Sequence, residues 1–194
     1  MNHAARLLLY RIFAVVLVVA LSIGFGFAFD AVMTSFEKRE YPIPDAYAEY
    51  VSRYSDEYGV PADIIYSVIK VESDFNGSAH GDDGAIGLMQ LTPSILERLC
   101  SETGEELTPE TLYSPEINIK YGSLHLSQLY SKYGIWETCF AAYHAGEDTV
   151  DSWIAEKENV DGNGILIKYP SEQTSSYIDE LAMANKNYRK LYFE

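Results

Sequence analysis

The stretch ESDFNGSAHGDDGAIGLMQL, residues 72–91, decides how this chain is read. It opens with a carboxylate at the end of an apolar run of helical spacing: Ile64, Ile65, Val68, Ile69, Glu72. Ile65, Val68 and Glu72 stand at i, i+3 and i+7, so Glu72 continues the buried stripe and does not oppose it. A carboxyl group placed there is partly desolvated, which raises its pKa and lets it hold a proton near neutrality. The Gly/Asp-rich loop 77–84 then turns the chain. Gly87-Leu88-Met89-Gln90 can return a backbone free of bulk, a flexible apolar side chain and an amide beside that carboxylate. A helix end whose last glutamate is half exposed fits the same spacing.

Outward from this stretch the pattern is helical, and the fold class is expected to be all-α. Segments 45–58 and 61–73 form a pair joined by a Gly-Val-Pro turn. Thr92-Pro93 and Ser114-Pro115 each place a capping hydroxyl before a first-turn proline, opening helices to about Cys100 and about Tyr133. In the longer of the two, Ile117, Tyr121, Leu124 and Gln128 form one stripe, and Gly122 permits close approach of a neighbour. Segment 135–145 is short and very apolar, with Trp136, Phe140 and Tyr143 on one side. A last helix from about Glu172 carries Tyr177, Leu181, Ala184, Tyr188 and Leu191 at successive stripe positions. At most the loops near 74–84 and 164–169 hold a short strand pair.

Residues 1–29 contain no Asp or Glu and two basic residues, Arg6 and Arg11. Positions 12–29 are 18 uncharged residues, and positions 7–29 make 23 if Arg11 snorkels, against about 20 needed to cross a bilayer core. A cleavable signal has a shorter apolar region and an Ala-x-Ala-like exit, and neither is met. Residues 1–29 therefore read as a single retained transmembrane helix, residues 30–44 as a stalk and residues 45–194 as one domain. The basic residues precede the span, which puts the N-terminus in the cytoplasm and the domain on the outer side of the cell membrane.

The chain carries −15 overall and residues 1–29 carry +2, so the rest carries −17. Such acidity argues against nucleic acid or an anionic membrane surface as partner. No His/Cys/Asp cluster has metal-ligand spacing, so no metal is expected, and no cofactor either. His80, His125 and His144 are scattered, and His125 reads as a helix surface residue. Cys100 and Cys139 are the only cysteines; outside the cell they can pair, and as apolar helical residues they can equally stay free.

Glu72-Ser73-x-Phe75, Gly87-Leu88-Met89-Gln90 and Ala142-Tyr143-x-x-Gly146, in this order and spacing, resemble the soluble-type lytic transglycosylases from roughly Tyr41 to the C-terminus. The resemblance implies a lysozyme-like helical domain acting on peptidoglycan glycan strands. It implies Glu72 as the single catalytic carboxyl group, acid then base, cleaving between MurNAc and GlcNAc to leave 1,6-anhydro-MurNAc. Ser73, Gly87, Met89, Gln90, Tyr143, His144 and Tyr177 would bind substrate: Ser73 near the reacting sugar, Gln90 orienting Glu72 or the sugar, Met89 lining the cleft. Ordinary glycosidases need two carboxylates. Asp74 points elsewhere on a helix; Asp82 and Asp83, in the loop, could approach, but a run of loop acids is more often solvated.

Two departures from the family pattern stand out. His144 occupies the position where the third motif usually has Asn, and Gln173-Thr174-Ser175-Ser176-Tyr177-Ile178 stands where the fourth usually reads Glu-Thr-Arg-x-Tyr-Val. They bear on specificity and activity level. A goose-type lysozyme-like hydrolase, which needs an Asp to activate water, and a glycan-binding scaffold with a weakened site are the alternatives.

Overall fold

The structure is a computed structural model that describes residues 3–194; of the side chains before Phe13 only those of Arg6 and Arg11 are described. Positions 7–10 and 12 of the apolar run thus lie outside the described side chains. The chain divides into two compact units, the first ending at Pro42 and the second running Ile43–Glu194.

The first unit is one helix, α1 (His3–Glu40). Within Phe13–Glu40 an 18-residue window reaches a mean hydropathy of 2.3 with none of it buried, so length and composition suffice to cross a membrane. The helix does not stop where the apolar run does. Residues 30–40 of the expected stalk continue it, because they contain neither glycine nor proline, and the break falls at Tyr41-Pro42-Ile43-Pro44.

The second unit is built from α2 (Asp45–Tyr58), α3 (Ala62–Ser73), α4 (Pro93–Thr103), α5 (Pro115–Tyr133), α6 (Trp136–Ala145), α7 (Glu147–Ala155) and α8 (Glu172–Tyr188). Among the described residues β structure is confined to isolated bridges, His80 with Ile86, Ile86 with Leu91 and Val160 with Leu166. His80 and Leu166 fall within the two loops expected to pair, while their partners and the Ile86–Leu91 bridge lie just outside those bounds. Helix α3 is the centre. Ile64 to Ile69 are six consecutive buried residues, which only a helix covered on all sides allows. Helix α8 lies along α3 and α6, using the expected stripe of Tyr177, Leu181, Ala184 and Tyr188, all buried. Helix α5 packs between α2 and α6.

Three expectations need correction. Helix α5 buries more than the stripe that hydropathy suggests: Tyr121 of that stripe is buried with Ile117 and Leu124 packed beside the same cluster, and Asn118, Gly122, His125 and Leu129, one position on, are buried too. His125 is therefore an interior residue, 3% exposed, and not a surface one. Ser114 makes no side-chain cap at the start of α5, whereas the Thr92 hydroxyl does accept the Ile95 amide at the start of α4. Helix α7 had no sequence signal strong enough to be expected. Cys100 and Cys139 are both buried and unpaired; the Cys100 thiol lies against the Tyr121 hydroxyl at 3.8 Å.

Two glycines set how closely the pieces approach. A Cβ on Gly122 would stand 2.3 Å from the Met89 sulfur, so α5 touches residues 87–90 there. A Cβ on Gly87 would fall 2.4 Å from Asn118 Nδ2 and 2.5 Å from the Leu112 carbonyl oxygen, at a φ of +81°. Overpacking together with the left-handed backbone makes Gly87→Ala costly, by about 2–4 kcal/mol. Denaturant unfolding of the variant should show that loss; an unchanged midpoint would mean that the loop has room to shift.

Candidate active site

Glu72 occupies the last turn of α3, and the chain leaves that turn through two consecutive left-handed residues, Asp74 (φ 48°) and Phe75 (φ 64°). With Gln90 (φ 47°) these are the three non-glycine residues of positive φ among those described, and all three flank Glu72. Each costs about 1–2 kcal/mol, so surrounding contacts must hold them. The Phe75 ring is stacked by Tyr47 at 6.4 Å and met by Tyr66 at 6.5 Å, and the Tyr47 hydroxyl donates to the Phe75 carbonyl. Asp74 pairs with Lys70 at 2.7 Å on the exposed side.

The strand-like return, residues 86–91, is fixed by side-chain hydrogen bonds to its backbone from three elements. Ser73 Oγ donates to the Leu88 carbonyl at 2.7 Å, tying the loop to α3. The buried amide of Asn118 accepts the Met89 N–H at 2.7 Å and donates to the Ile86 and Leu112 carbonyls at 2.8 and 2.9 Å. From α6, the Tyr143 hydroxyl donates to the Met89 carbonyl at 2.6 Å. Gln90 folds its amide nitrogen back onto the Gly87 carbonyl at 2.8 Å.

A cleft of about 790 Å³ opens over this frame. Glu72, Gln90, Tyr143 and His144 line it, as do Asp83, Arg98 and His125. Tyr177, from α8, is buried and donates its hydroxyl to Glu72 Oε1, while the His144 ring stacks on the Tyr177 ring at 4.5 Å. Ser73, Gly87 and Met89 do not line the cleft. Met89 is wholly buried against Gly122, so its expected place in the cleft wall is taken by its backbone's role in the loop. Sequence reasoning missed Asn118, Arg98 and His125, and set Asp83 aside.

Half-buried Glu72 has its pKa pushed up to about 7, chiefly by desolvation; the Tyr177 hydrogen bond works against the shift and the Asp83 charge adds to it. Burial and the nearby Glu72 charge hold the Tyr143 and Tyr177 hydroxyls far above their ordinary range, so both remain donors. The site thus offers one carboxyl group that is protonated in a good fraction of molecules at neutral pH, facing a roomy cleft. That is what a general acid requires.

Residues 49–165 match the family described as Transglycosylase SLT domain. The soluble lytic murein transglycosylase of Escherichia coli is 28% identical over 153 residues, covering 75% of this chain and 23% of the relative. Membrane-bound lytic murein transglycosylase C of Glaesserella parasuis serovar 5 is 29% identical over 168 residues, covering 75% of this chain and 46% of the relative. Among solved structures, the 70 kDa soluble lytic transglycosylase of Escherichia coli superposes with a TM-score of 0.71 at 24% identity, over 79% of this chain and 25% of that one. The all-α, lysozyme-like fold is therefore shared. The chain spans about a quarter of the soluble relative's length and under half of the membrane-bound one's.

A raised carboxyl pKa is also a statement about stability. The folded protein holds the Glu72 proton more tightly than the unfolded chain, so this group's contribution is fully present below about pH 4.5 and is lost as pH rises through about 7. Glu72→Gln removes the buried charge while keeping an acceptor for Tyr177. At pH 8 it should be more stable than the parent, by on the order of 1–3 kcal/mol, and the gap should close below pH 5. Thermal unfolding across that range checks it; a pH-independent gap would mean that Glu72 carries no proton near neutrality.

Proposed function

Since the chain belongs to the Transglycosylase SLT domain family, we propose that it is a membrane-anchored lytic transglycosylase that cleaves the β-1,4 bond between MurNAc and GlcNAc in peptidoglycan. The observation that carries this reading is Glu72: a desolvated carboxyl group with a pKa near 7, hydrogen-bonded by Tyr177 at the edge of a cleft. Protonated Glu72 gives its proton to the glycosidic oxygen as the bond to C1 breaks. The resulting carboxylate, steadied by Tyr177, then takes the proton of the MurNAc 6-hydroxyl while that oxygen bonds to C1. The product is 1,6-anhydro-MurNAc, with Glu72 returned to its starting state. Because the nucleophile is tethered, its effective concentration can reach about 10⁵–10⁸ M, far above that of water.

In this reading Gln90, Tyr143 and His144 hold the sugars in the cleft. Ser73, Gly87 and Met89 act one layer behind, by fixing the loop that carries Gln90. Helix α1 anchors the domain, and the wall substrate puts the domain outside the membrane. Arg6 and Arg11 agree with that orientation, although Lys38 and Arg39 at the other end of the helix weaken the charge asymmetry.

One observation favours hydrolysis as a second reading. Asp83 lines the same cleft and raises the pKa of Glu72, so a second carboxylate is within reach of a bound water. Digestion of peptidoglycan in heavy-oxygen water separates the two. Transglycosylation leaves products that are one water lighter and unlabelled, whereas label at C1 would assign the reaction to hydrolysis.

Glu72→Gln should lower the cleavage rate by at least about 10²–10⁴-fold, with the variant still folded. For the parent, the rate should decline as pH rises above about 7, where the acid is lost. A rate that climbs steadily into the alkaline range rules out a glutamic acid donor. Protease added to cells stripped of wall should remove the C-terminal domain; full protection of that domain would reverse the orientation.

A further inference from the structure

Two residues of the cleft, Arg98 and His125, have no part in the chemistry above. His125 is 3% exposed, on the buried face of α5, and its ring lies 5.2 Å from that of Tyr143. Arg98 Nη2 meets His125 Nδ1 at 3.1 Å. A guanidinium has only donors and stays charged, so Nδ1 must be the acceptor and the single ring proton must sit on Nε2. A doubly protonated ring would set two donors and two positive charges against each other. Burial and Arg98 push the His125 pKa down to about 4; the Glu147 and Glu102 carboxylates only partly offset them. The imidazole is thus a neutral group of fixed tautomer.

Its Nε2–H meets no protein acceptor among the described residues. Nor is Nε2 one of the two sealed, unpartnered side-chain atoms, which are Ser123 Oγ and Asn159 Oδ1. His125 itself lines the cleft. The surroundings narrow what it can take. Arg98 is already matched by Gln128 Oε1 at 2.7 Å, Glu102 at 3.0 Å and Glu147 at 3.8 Å, so this wall has no spare positive charge for an anion. A lone neutral donor best matches an amide carbonyl oxygen, which only accepts and accepts more strongly than a hydroxyl. Ile95 and Ala142 line the same cleft and offer a seat for a methyl group.

We propose that His125 is a specificity-determining residue, a fixed neutral donor from Nε2 to the carbonyl oxygen of a sugar N-acetyl group. The inference rests on the glycan-cleaving reading and says which part of the glycan this wall recognises. Histidine acts here through its uncharged form, with Arg98 as the residue that sets the tautomer.

The test uses the full chain in detergent, with Glu72→Gln to prevent turnover, and two probes with the same β-1,4 linkage: an N-acetylglucosamine tetramer and a glucose tetramer. The parent should prefer the N-acetylated sugar. His125→Phe should weaken that binding about tenfold and leave the glucose tetramer unaffected. His125→Gln, whose oxygen can accept from Arg98 while its nitrogen donates onward, should recover affinity to within about threefold. Should the Phe variant not fold, His125→Asn keeps an acceptor for Arg98, lacks the far donor and gives the same contrast with Gln. Nitrogen NMR of His125 should show a neutral ring protonated at Nε2 from pH 5 to 8. An equal loss for both sugars, no loss for either, or a ring protonated at Nδ1 would overturn the inference while leaving the transglycosylase reading in place. Binding of neither sugar by the parent would overturn both.

Discussion

The hydrogen bond from Tyr177 to Glu72 joins residues 105 apart in sequence and sets the terms for the rest of the domain. A carboxyl group at the end of a helix whose middle is wholly buried is expensive when charged and useful when its proton is mobile. Tyr177 supplies enough stabilisation for the carboxylate to exist during a reaction, while desolvation keeps the proton available beforehand. For that balance α8 must lie along α3 in one register. The stripe of Leu181, Ala184 and Tyr188 provides this by packing against the central helix. The packing of α8 along α3 thus has a chemical consequence at one end.

The second requirement is a rigid backbone opposite the acid, and here the protein uses polar groups where a core would ordinarily use aliphatic ones. Asn118 is wholly buried and satisfies three backbone groups of the loop and its neighbour. Leaving any of those unpaired would cost about 1–3 kcal/mol, so the amide both requires the loop and defines it. Gly122, one turn later, lets the Met89 side chain sit against the α5 backbone. The left-handed Asp74, Phe75 and Gln90 are strains that this frame can hold.

Much of this was legible in the chain itself. Helices α2 to α6 and α8 announce themselves through prolines, hydroxyl caps and apolar spacing, and Glu72 through its place on the stripe of Ile65 and Val68. Helix α5 shows where such reading fails. Beside Tyr121, which hydropathy finds, it buries Asn118, Gly122, Ser123 and His125, while Ile117 and Leu124 are only half-buried, so hydropathy finds one edge of the buried face and misses the polar one. The polar face goes inward because it touches loop backbone, and a backbone partner leaves no periodic signal. Helix α7 escaped for a related reason: nine residues with an acidic first turn bury Val150 and little else. The motif singles out Met89 and Gly87, and only the packing shows that the Met89 side chain lies buried against Gly122 and that Gly87 lies against Asn118.

The same packing explains how the site can keep its acid and still vary in what it accepts. Tyr143 and Tyr177 turn their hydroxyls toward the loop and Glu72, and each presents its ring to a histidine, His125 at 5.2 Å and His144 at 4.5 Å. The hydroxyl ends are constrained by the chemistry, because a displaced donor would release either the Met89 carbonyl or the carboxylate. The ring faces are constrained only by shape and polarity. Substitution beside a ring face therefore changes what the cleft wall presents without moving Glu72. His144 stands in a position where the family pattern has an amide, and His125 is pinned by Arg98; each lies against one of those ring faces. Because α4, α5 and α6 contribute Arg98, His125 and His144 separately, the wall can be retuned one helix at a time, while the α3–α8 contact that governs Glu72 stays as it is.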